Sequence, residues 1–209
     1  FRAGDLVVGI VRRRDPVPCP ACAAGDWDMC LNGRYTERGI KGRHGYASER
    51  YRIHPEYLVA VDPVLGILGV LLEPTTVVAK AWDHIEKIGH RAAWAPKKVL
   101  VTGAGPIGLL AALLATQRGY ETYVLDRVTE GRKPEMVRRL GATYFHVGDI
   151  GEAGEEADIV IECTGFVQML LESVPQHVLH RITCLTGVSP AGAEATVETP
   201  VPLTVTPSC

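Results

Sequence analysis

After residue 96 the chain alternates short apolar runs with amphipathic stretches. The apolar runs cover residues 98–102, 122–125, 144–147, 159–163 and 182–185, and the amphipathic stretches cover 107–117, 135–140 and 167–174. Runs of β-branched residues that alternate with helical periodicity indicate βαβ units and a parallel sheet. Because the crossovers are right-handed and place helices on both faces, the pattern predicts a doubly wound α/β sheet whose first strand lies at its centre.

The first 95 residues follow a different pattern. Residues 4–12 have the β-branched composition of a strand, 15–45 are rich in Gly, Pro and Cys without periodicity, and 46–61 show short strands and turns. Apolar residues at helical spacing then extend from 65 to 88, with Pro74 near a helix start. The early part of the chain is therefore predicted to be mostly β-strand and loop.

A glycine-rich segment stands between the first strand and the first helix of the α/β part. It places Gly103, Gly105 and Gly108 at Gly-x-Gly-x-x-Gly spacing, directly after the strand 98–102. In such a turn the first glycine allows the tight bend, the second lets a pyrophosphate approach the helix N-terminus, and the third permits close packing of helix on strand. The segment predicts a dinucleotide-binding site that includes Ala104, Pro106 and Ile107.

The second strand ends at Asp126, 18 residues beyond Gly108, where an acidic side chain meets the adenosine ribose of a bound dinucleotide. An aspartate there favours NAD. Cations nearby can instead bind the 2′-phosphate of NADP, and the neighbouring cations are Arg127, Arg132 and Lys133. The sequence leaves both cofactors open.

Two later loops follow predicted strands at the edge where open α/β sheets bind ligands. One contains Thr164 and Gly165, and the other contains Thr186, Gly187 and Val188. We expect both loops to line the cofactor site.

Three cysteines lie close together in the Gly- and Pro-rich stretch. Cys19, Cys22 and Cys30 supply three thiolates at short spacing, and structural zinc takes four ligands in tetrahedral array. The pattern predicts a structural zinc site with Asp15 as the fourth ligand, and Asp26 or Asp28 as alternatives. Three free thiols in a reducing compartment would give the same pattern.

Composition and charge narrow the class of protein. With 46% hydrophobic and 22% charged residues in 209, the chain is of the ordinary globular kind. A formal net charge of -2 gives no electrostatic reason to expect nucleic acid or an anionic membrane as partner. No uninterrupted run reaches the roughly 18 apolar residues of a membrane span. We therefore expect a cytoplasmic protein that acts on a small molecule, and a chain opening on Phe1 is expected to be a fragment.

The chain resembles the zinc-dependent medium-chain dehydrogenase/reductase family, whose members join a GroES-like catalytic domain to a Rossmann domain. The resemblance rests on Gly4-Asp5-Leu6-Val7-Val8, the cysteine loop, Gly45-Tyr46-Ala47-Ser48-Glu49 and the glycine-rich turn, which occur in that order. The segment from Asp26 to Gly42 and Leu71-Leu72-Glu73-Pro74-Thr75 are similar to the glucose dehydrogenase branch. The resemblance implies a partial GroES-like domain over 1–77 and an NAD(P)-binding Rossmann domain over 78–209.

The resemblance also implies roles for single residues. Glu73 matches the carboxylate at the catalytic zinc and is expected to contact substrate, Glu37 matches a glutamate that contacts the sugar, and His44 lines the same cleft. Pro16 stands where the family has its first lobe cysteine, and the family's other catalytic zinc ligands precede Phe1.

The activity implied is that of a homo-oligomeric oxidoreductase that moves a hydride from the anomeric hydroxyl of an aldose, with D-glucose favoured, to NAD(P). Another zinc-dependent alcohol or polyol dehydrogenase is the alternative enzyme. A non-catalytic dinucleotide-binding module is the alternative from a different class.

Overall fold

The computed structural model describes residues 1–149, 156–166 and 181–186, and the predicted helix at 167–174 lies outside them. The chain divides into two compact units, the first covering Phe1–Glu73 and the second beginning at Pro74.

The first unit is built from short strands and turns. Two small sheets occur in it, an antiparallel pair of β1 with β5 and a three-stranded sheet in the order β2, β3, β4. In chain order its elements are β1 (Val7–Gly9), β2 (Arg12–Arg13), the helix α1 (Pro20–Ala24), a 3-10 turn (Trp27–Met29), β3 (Thr36–Arg38), β4 (Gly42–Arg43), a second 3-10 turn (Pro55–Tyr57), β5 (Leu58–Ala60) and a 3-10 segment (Pro63–Leu71).

The prediction of a single strand over residues 4–12 is wrong in one respect, because the structure has two strands there, β1 and β2. The two pieces pair with different partners, since Val8 lies opposite Val59 of β5 whereas Arg12 lies opposite Glu37 of β3. Local composition reports strand propensity but carries no information on a change of partner between Gly9 and Arg12.

The first unit buries few apolar side chains. Its buried hydrophobic residues within the described part of the chain are Cys19, Cys22 and Val61. Two charged residues, Arg13 and Asp15, are also buried. Arginine–aromatic contacts supply further packing: the guanidinium carbon of Arg12 lies 3.9 Å from the Tyr35 ring, that of Arg13 lies 3.8 Å from the Tyr57 ring, and that of Arg14 lies 3.9 Å from the Trp27 ring. Such contacts stabilise without a large apolar core.

One helical stretch corrects the expectation that no segment reaches membrane-spanning length. The 3-10 segment continues into the helix α2 (Leu72–Gly89), and the 27 residues Pro63–Gly89 are long and apolar enough to cross a membrane by length and composition. Counting uninterrupted apolar residues missed the stretch because charged residues, the first of them Glu73, interrupt it. Core helices pass the same test, and α2 buries Val78, Trp82 and Ile85 in the core of the second unit.

The second unit is a five-stranded parallel sheet with helices between the strands. The strand order is β10, β9, β6, β7, β8, so the first strand lies at the centre as predicted. Its further elements are β6 (Lys98–Thr102), α3 (Pro106–Gln117), β7 (Glu121–Asp126), α4 (Arg132–Arg139), β8 (Thr143–His146), β9 (Ile159–Glu162) and β10 (Ile182–Leu185).

The central strands form the core because both of their faces are covered. Val99, Leu100 and Val101 of β6 are fully buried, as expected for a strand covered on both sides. The indole of Trp82 stacks on Tyr120 with ring centroids 5.3 Å apart, which joins α2 to this core.

The turn between β6 and α3 has no room for a side chain at its third glycine. A Cβ at Gly108 would overlap the carbonyl oxygen of Gly103, which is backbone and cannot rotate away. Gly103 itself has φ of 92°, a left-handed conformation that favours glycine. These two glycines therefore set how closely α3 packs against the sheet.

We predict that Gly108→Ala lowers the free energy of unfolding by about 3 kcal/mol, because overpacking against rigid backbone forces the helix outward. Urea titration followed by circular dichroism measures the change. Gly105→Ala is the matched control, since a Cβ there meets nothing within 4 Å. Equal midpoints for Gly108→Ala and the parent would contradict the prediction.

Candidate functional site

A cavity of about 230 Å³ opens at the carboxyl ends of β6 and β9. These adjacent strands are where the order of the sheet reverses, because β7 and β8 lie on one side of β6 and β9 on the other. Doubly wound sheets bind ligands at that switch point. Its lining residues are Gly103, Gly105, Asp126, Arg127, Lys133, Cys163, Thr164 and Phe166.

The glycine-rich turn leaves space where a pyrophosphate would lie. Gly105 precedes α3 with φ of -81° and ψ of -177°, and its missing side chain would point into open space. Pro106 begins the helix, and the amides of Ile107 and Gly108 belong to its first turn, where backbone N–H groups have no helical acceptor. The residues present therefore fit a dinucleotide phosphate at a helix N-terminus.

Asp126 ties the end of β7 to this turn. Its Oδ2 accepts hydrogen bonds from the Ala104 amide at 2.7 Å and from Lys133 Nζ at 2.9 Å. Its Oδ1 accepts from the amides of Arg127 at 2.7 Å and Val128 at 3.2 Å. Burial opposes ionisation, but the hydrogen bonds from Lys133, Ala104 and Val128 outweigh it and hold the pKa of Asp126 below its ordinary value.

A second buried acid shapes the opposite wall, and sequence reasoning missed it. Glu162 ends β9, is 3% exposed, and accepts hydrogen bonds from the Thr164 hydroxyl and from the Gly165 amide at 3.0 Å. It thereby holds the Thr164–Gly165 loop close to Gly103. A Cβ added at Gly103 would lie 2.9 Å from Thr164 Cγ2. The sequence did contain a signal for this role of Glu162, an acidic residue at the end of a predicted strand and two residues before Thr164-Gly165.

The loop after β10 is described only as far as Thr186. The Thr186 hydroxyl donates to the Glu162 carbonyl at 2.6 Å and lies 3.2 Å from the sulfur of Cys163. Gly187 and Val188, the other predicted cofactor contacts of this loop, lie outside the described residues.

The cysteine cluster is assembled in the first unit. The sulfurs of Cys19, Cys22 and Cys30 lie within 4.8 Å of one another. Asp15, 4% exposed, approaches this cluster through Oδ2, which is 3.9 Å from the Cys30 sulfur. Three thiols and a carboxylate are a donor set that zinc accepts, so the residues present fit a structural zinc ion.

Two of the thiols differ in acidity. The amides of Cys22 and Leu31 donate to the Cys19 sulfur and lower its pKa to about 6. Burial, with the neighbouring thiols Cys30 and Cys19, raises the pKa of Cys22 to about 11. Cys19 therefore ionises more readily than Cys22, and because zinc binds thiolates, binding of zinc would release protons from the cluster.

The predicted substrate and catalytic residues all fall in the first unit, in different surroundings. Glu37 accepts a hydrogen bond from Arg12 Nε at 2.9 Å, and this pair is largely shielded from solvent. His44 is exposed and lines a larger cavity of about 630 Å³ with Arg38, Arg50 and Arg52. That cavity is rich in cations but carries no phosphate-binding turn.

Glu73 lies in the first turn of α2 and is exposed. Within residues 1–149, 156–166 and 181–186, the cysteine cluster is the one group of three or more metal-ligating side chains, and Glu73 is not part of it. The described residues therefore do not assemble a catalytic zinc site around Glu73.

Comparison with known proteins shows the family to which the chain belongs. The family described as glucose dehydrogenase C-terminus matches residues 66–201. A glucose 1-dehydrogenase of Methanocella arvoryzae is 42% identical over 196 residues, which are 91% of this chain and 55% of that protein. The chain spans about half the length of the curated relatives it matches.

Solved structures of dehydrogenases have a fold similar to that of this chain. Haloferax mediterranei glucose dehydrogenase in complex with NADP, Zn and gluconolactone matches with a TM-score of 0.79 at 30% identity, covering 94% of this chain and 58% of that one. Galactitol-1-phosphate dehydrogenase from Escherichia coli matches with a TM-score of 0.74 at 22% identity over 94% of this chain and 56% of that one, a likeness that shows the fold alone. The predicted doubly wound α/β fold is confirmed.

We predict that Gly105→Val reduces dinucleotide affinity at least about 100-fold while the second unit stays folded. The extended backbone at Gly105 suits a β-branched residue, but the side chain would occupy the space left for phosphate. Calorimetric titration with NADP and NAD measures the loss, and urea titration verifies the fold. Parent-like affinity in the folded variant would remove this turn from the site.

We predict about one zinc per chain, lost in Cys22→Ser, because three neighbouring thiolates are soft ligands. Elemental analysis after dialysis measures the metal. Cys184→Ser, on β10 and outside the cluster, is the control and should retain zinc. Equal zinc content in both variants, or none in the parent, would favour free thiols.

Proposed function

Because the chain belongs to the glucose dehydrogenase family, within the zinc-dependent medium-chain dehydrogenases, we propose that the complete protein oxidises an aldose at its anomeric hydroxyl with NAD(P). The observation that carries the proposal is the open space over Gly105, in a cavity that Thr164 and Lys133 also line at the switch point of the sheet. D-glucose is the favoured substrate, supported by the 42% identical glucose 1-dehydrogenase and by gluconolactone in the Haloferax structure.

In this proposal the residues of the second unit bind and orient the dinucleotide. The turn of Gly103, Gly105 and Gly108 holds the pyrophosphate, and Thr164 and Gly165 form the facing wall. Asp126 keeps the turn closed through the Ala104 amide. When bound, the dinucleotide supplies a nicotinamide that takes up a hydride.

Some residues of the first unit are proposed to have a structural role, and others are proposed to contact the substrate or a catalytic metal. The cysteine cluster and Asp15 would hold a structural zinc, which compensates for the small apolar core. Glu37, fixed in position by Arg12, is proposed to hydrogen-bond sugar hydroxyls, and His44 to line the same cleft. Glu73 is proposed as one ligand of a catalytic zinc, which takes about three protein ligands and would polarise the sugar hydroxyl.

The proposal also covers the domain organisation, the oligomeric state and the cellular compartment. The first unit, with its short strands and turns, supports a partial GroES-like domain, and the parallel sheet supports an NAD(P)-binding domain. We propose that the complete protein is a homo-oligomer in the cytoplasm. Light scattering of that protein would give its oligomeric state.

We predict that the 209-residue chain binds NADP yet shows no measurable oxidation of glucose, because Glu73 has no further catalytic metal ligands around it among the described residues. Calorimetry with NADP followed by a spectrophotometric glucose assay with added zinc tests both statements. Turnover in this chain that vanishes in Glu73→Gln would show that its catalytic metal site is complete.

In the complete protein, we predict that Glu73→Gln lowers kcat/KM for glucose about 100-fold through weaker metal binding. Glu86→Gln, an exposed glutamate on the same helix that pairs with Arg118, is the control and should keep parental activity. Initial rates on glucose, galactose, sorbitol and ethanol distinguish an aldose dehydrogenase from a polyol or alcohol dehydrogenase. Binding of NADP without turnover on any of them would favour a non-catalytic module.

A further inference from the structure

A cavity of the first unit is surrounded by cationic side chains. This arginine cavity has a volume of about 630 Å³, and its lining includes Arg38, His44, Ser48, Arg50, Tyr51 and Arg52. Among the described residues that line it, none is acidic. A space of this size suits a small organic molecule, and several guanidinium groups without an acidic neighbour favour one that carries negative charge.

The segment that carries Arg50 and Arg52 is held in place by hydrogen bonds and ring packing. Arg38 donates to the carbonyl of His44 at 3.4 Å and to that of Arg52 at 2.8 Å, so one guanidinium joins the two ends of the segment. Within it, the Ser48 hydroxyl donates to the Arg50 carbonyl at 3.1 Å. The two tyrosine rings of the segment also pack on each other, with centroids 4.7 Å apart. The wall of the arginine cavity is therefore formed without a ligand.

The guanidinium groups of Arg50 and Arg52 have no hydrogen bond, ion pair or ring contact within the part of the chain that the structure describes, and both residues are exposed. The acidic residues closest in sequence do not compensate them. Glu37 is paired with Arg12 at 2.9 Å, and Glu49 does not line the cavity. Because cations that share a cavity repel one another, an anion placed among them is stabilised.

We propose that the arginine cavity binds a phosphate monoester, with Arg50 and Arg52 holding the phosphate group. A phosphate monoester carries a charge of about -2 near neutral pH and about three acceptor oxygens. Guanidinium groups bind such oxygens through paired N–H donors, whereas a carboxylate brings less charge and fewer acceptors. This inference goes beyond the proposed function, in which neither Arg50 nor Arg52 has a role.

Calorimetric titration of the 209-residue chain with glucose 6-phosphate, inorganic phosphate and gluconate at one fixed ionic strength tests the proposal. We expect glucose 6-phosphate to bind at least about tenfold more tightly than gluconate, which presents a carboxylate instead of a phosphate. Inorganic phosphate should bind more weakly than glucose 6-phosphate, because it fills less of the cavity. Equal affinities for these two phosphates would overturn the choice of an ester, and gluconate binding as tightly would overturn the choice of a phosphate.

Two substitutions test the residues that hold the phosphate. Arg50→Met and Arg52→Met should each weaken binding of glucose 6-phosphate at least about tenfold, since each removes charge-assisted hydrogen bonds. Arg38 is left unchanged, because its hydrogen bonds hold the segment together. Arg34→Met is the matched control, an exposed arginine of the same unit that does not line the cavity, and it should keep the parental affinity. Circular dichroism verifies that each variant is folded.

The glycine-rich turn of the second unit also suits phosphate, so the titration is repeated in Gly105→Val. Affinity for glucose 6-phosphate should be unchanged there. Loss of binding in Gly105→Val, with parental binding in Arg50→Met and Arg52→Met, would place the phosphate at that turn and overturn the proposal. No binding by the parent, or an equal loss in Arg34→Met, would overturn it as well. None of these results bears on the proposed oxidation of an aldose, which titration with NADP and the glucose assay test separately.

Discussion

The overlap that forbids a side chain at Gly108 is the constraint on which the second unit depends. Because the backbone at Gly108 packs directly against the Gly103 carbonyl, α3 starts immediately beyond the carboxyl end of β6. That placement directs the first turn of the helix toward the cavity and leaves Ala104 within reach of Asp126. Sheet geometry, helix position and the phosphate space thus follow from one close backbone contact.

The two units are stabilised in different ways. The second has a continuous apolar core in which the central strand is buried on both faces. The first has two thiols among its three buried apolar side chains and relies on arginine–aromatic contacts and on the Arg12–Glu37 pair. A metal at the cysteine cluster would contribute proportionally more there, because binding energy at such a site is folding energy.

Much of the second unit could be predicted because its signals are local. The strands at 98–102 and 182–185 have the bounds expected from the sequence, and the central position of β6 follows from connection rules. In the first unit, β1 and β2 pair with strands that lie 23 or more residues further along the chain, which composition does not encode. Strand propensity was therefore visible there, and topology was not.

The same distinction applies within the site. Spacing predicts that Asp126 lies at the end of β7, but its role depends on which groups donate to its carboxylate. Those donors are the Lys133 ammonium and the amides of Ala104, Arg127 and Val128. Glu162 was missed because its partners are formed by the turn that it stabilises. Spacing along the chain predicts where an acid lies, whereas hydrogen-bond saturation depends on the folded surroundings.

The 3-10 segment before α2 has a practical consequence for work with this chain. Val64, Ile67, Leu68 and Val70 are 84%, 80%, 59% and 65% exposed, an unusual density of large apolar side chains on a surface. Gly66, with φ of 48°, interrupts the helical backbone between Val64 and Ile67. Salt concentration and mild detergent will therefore govern how concentrated a sample can be kept, since colloidal attraction between such surfaces grows as ionic strength screens the molecules' mutual repulsion.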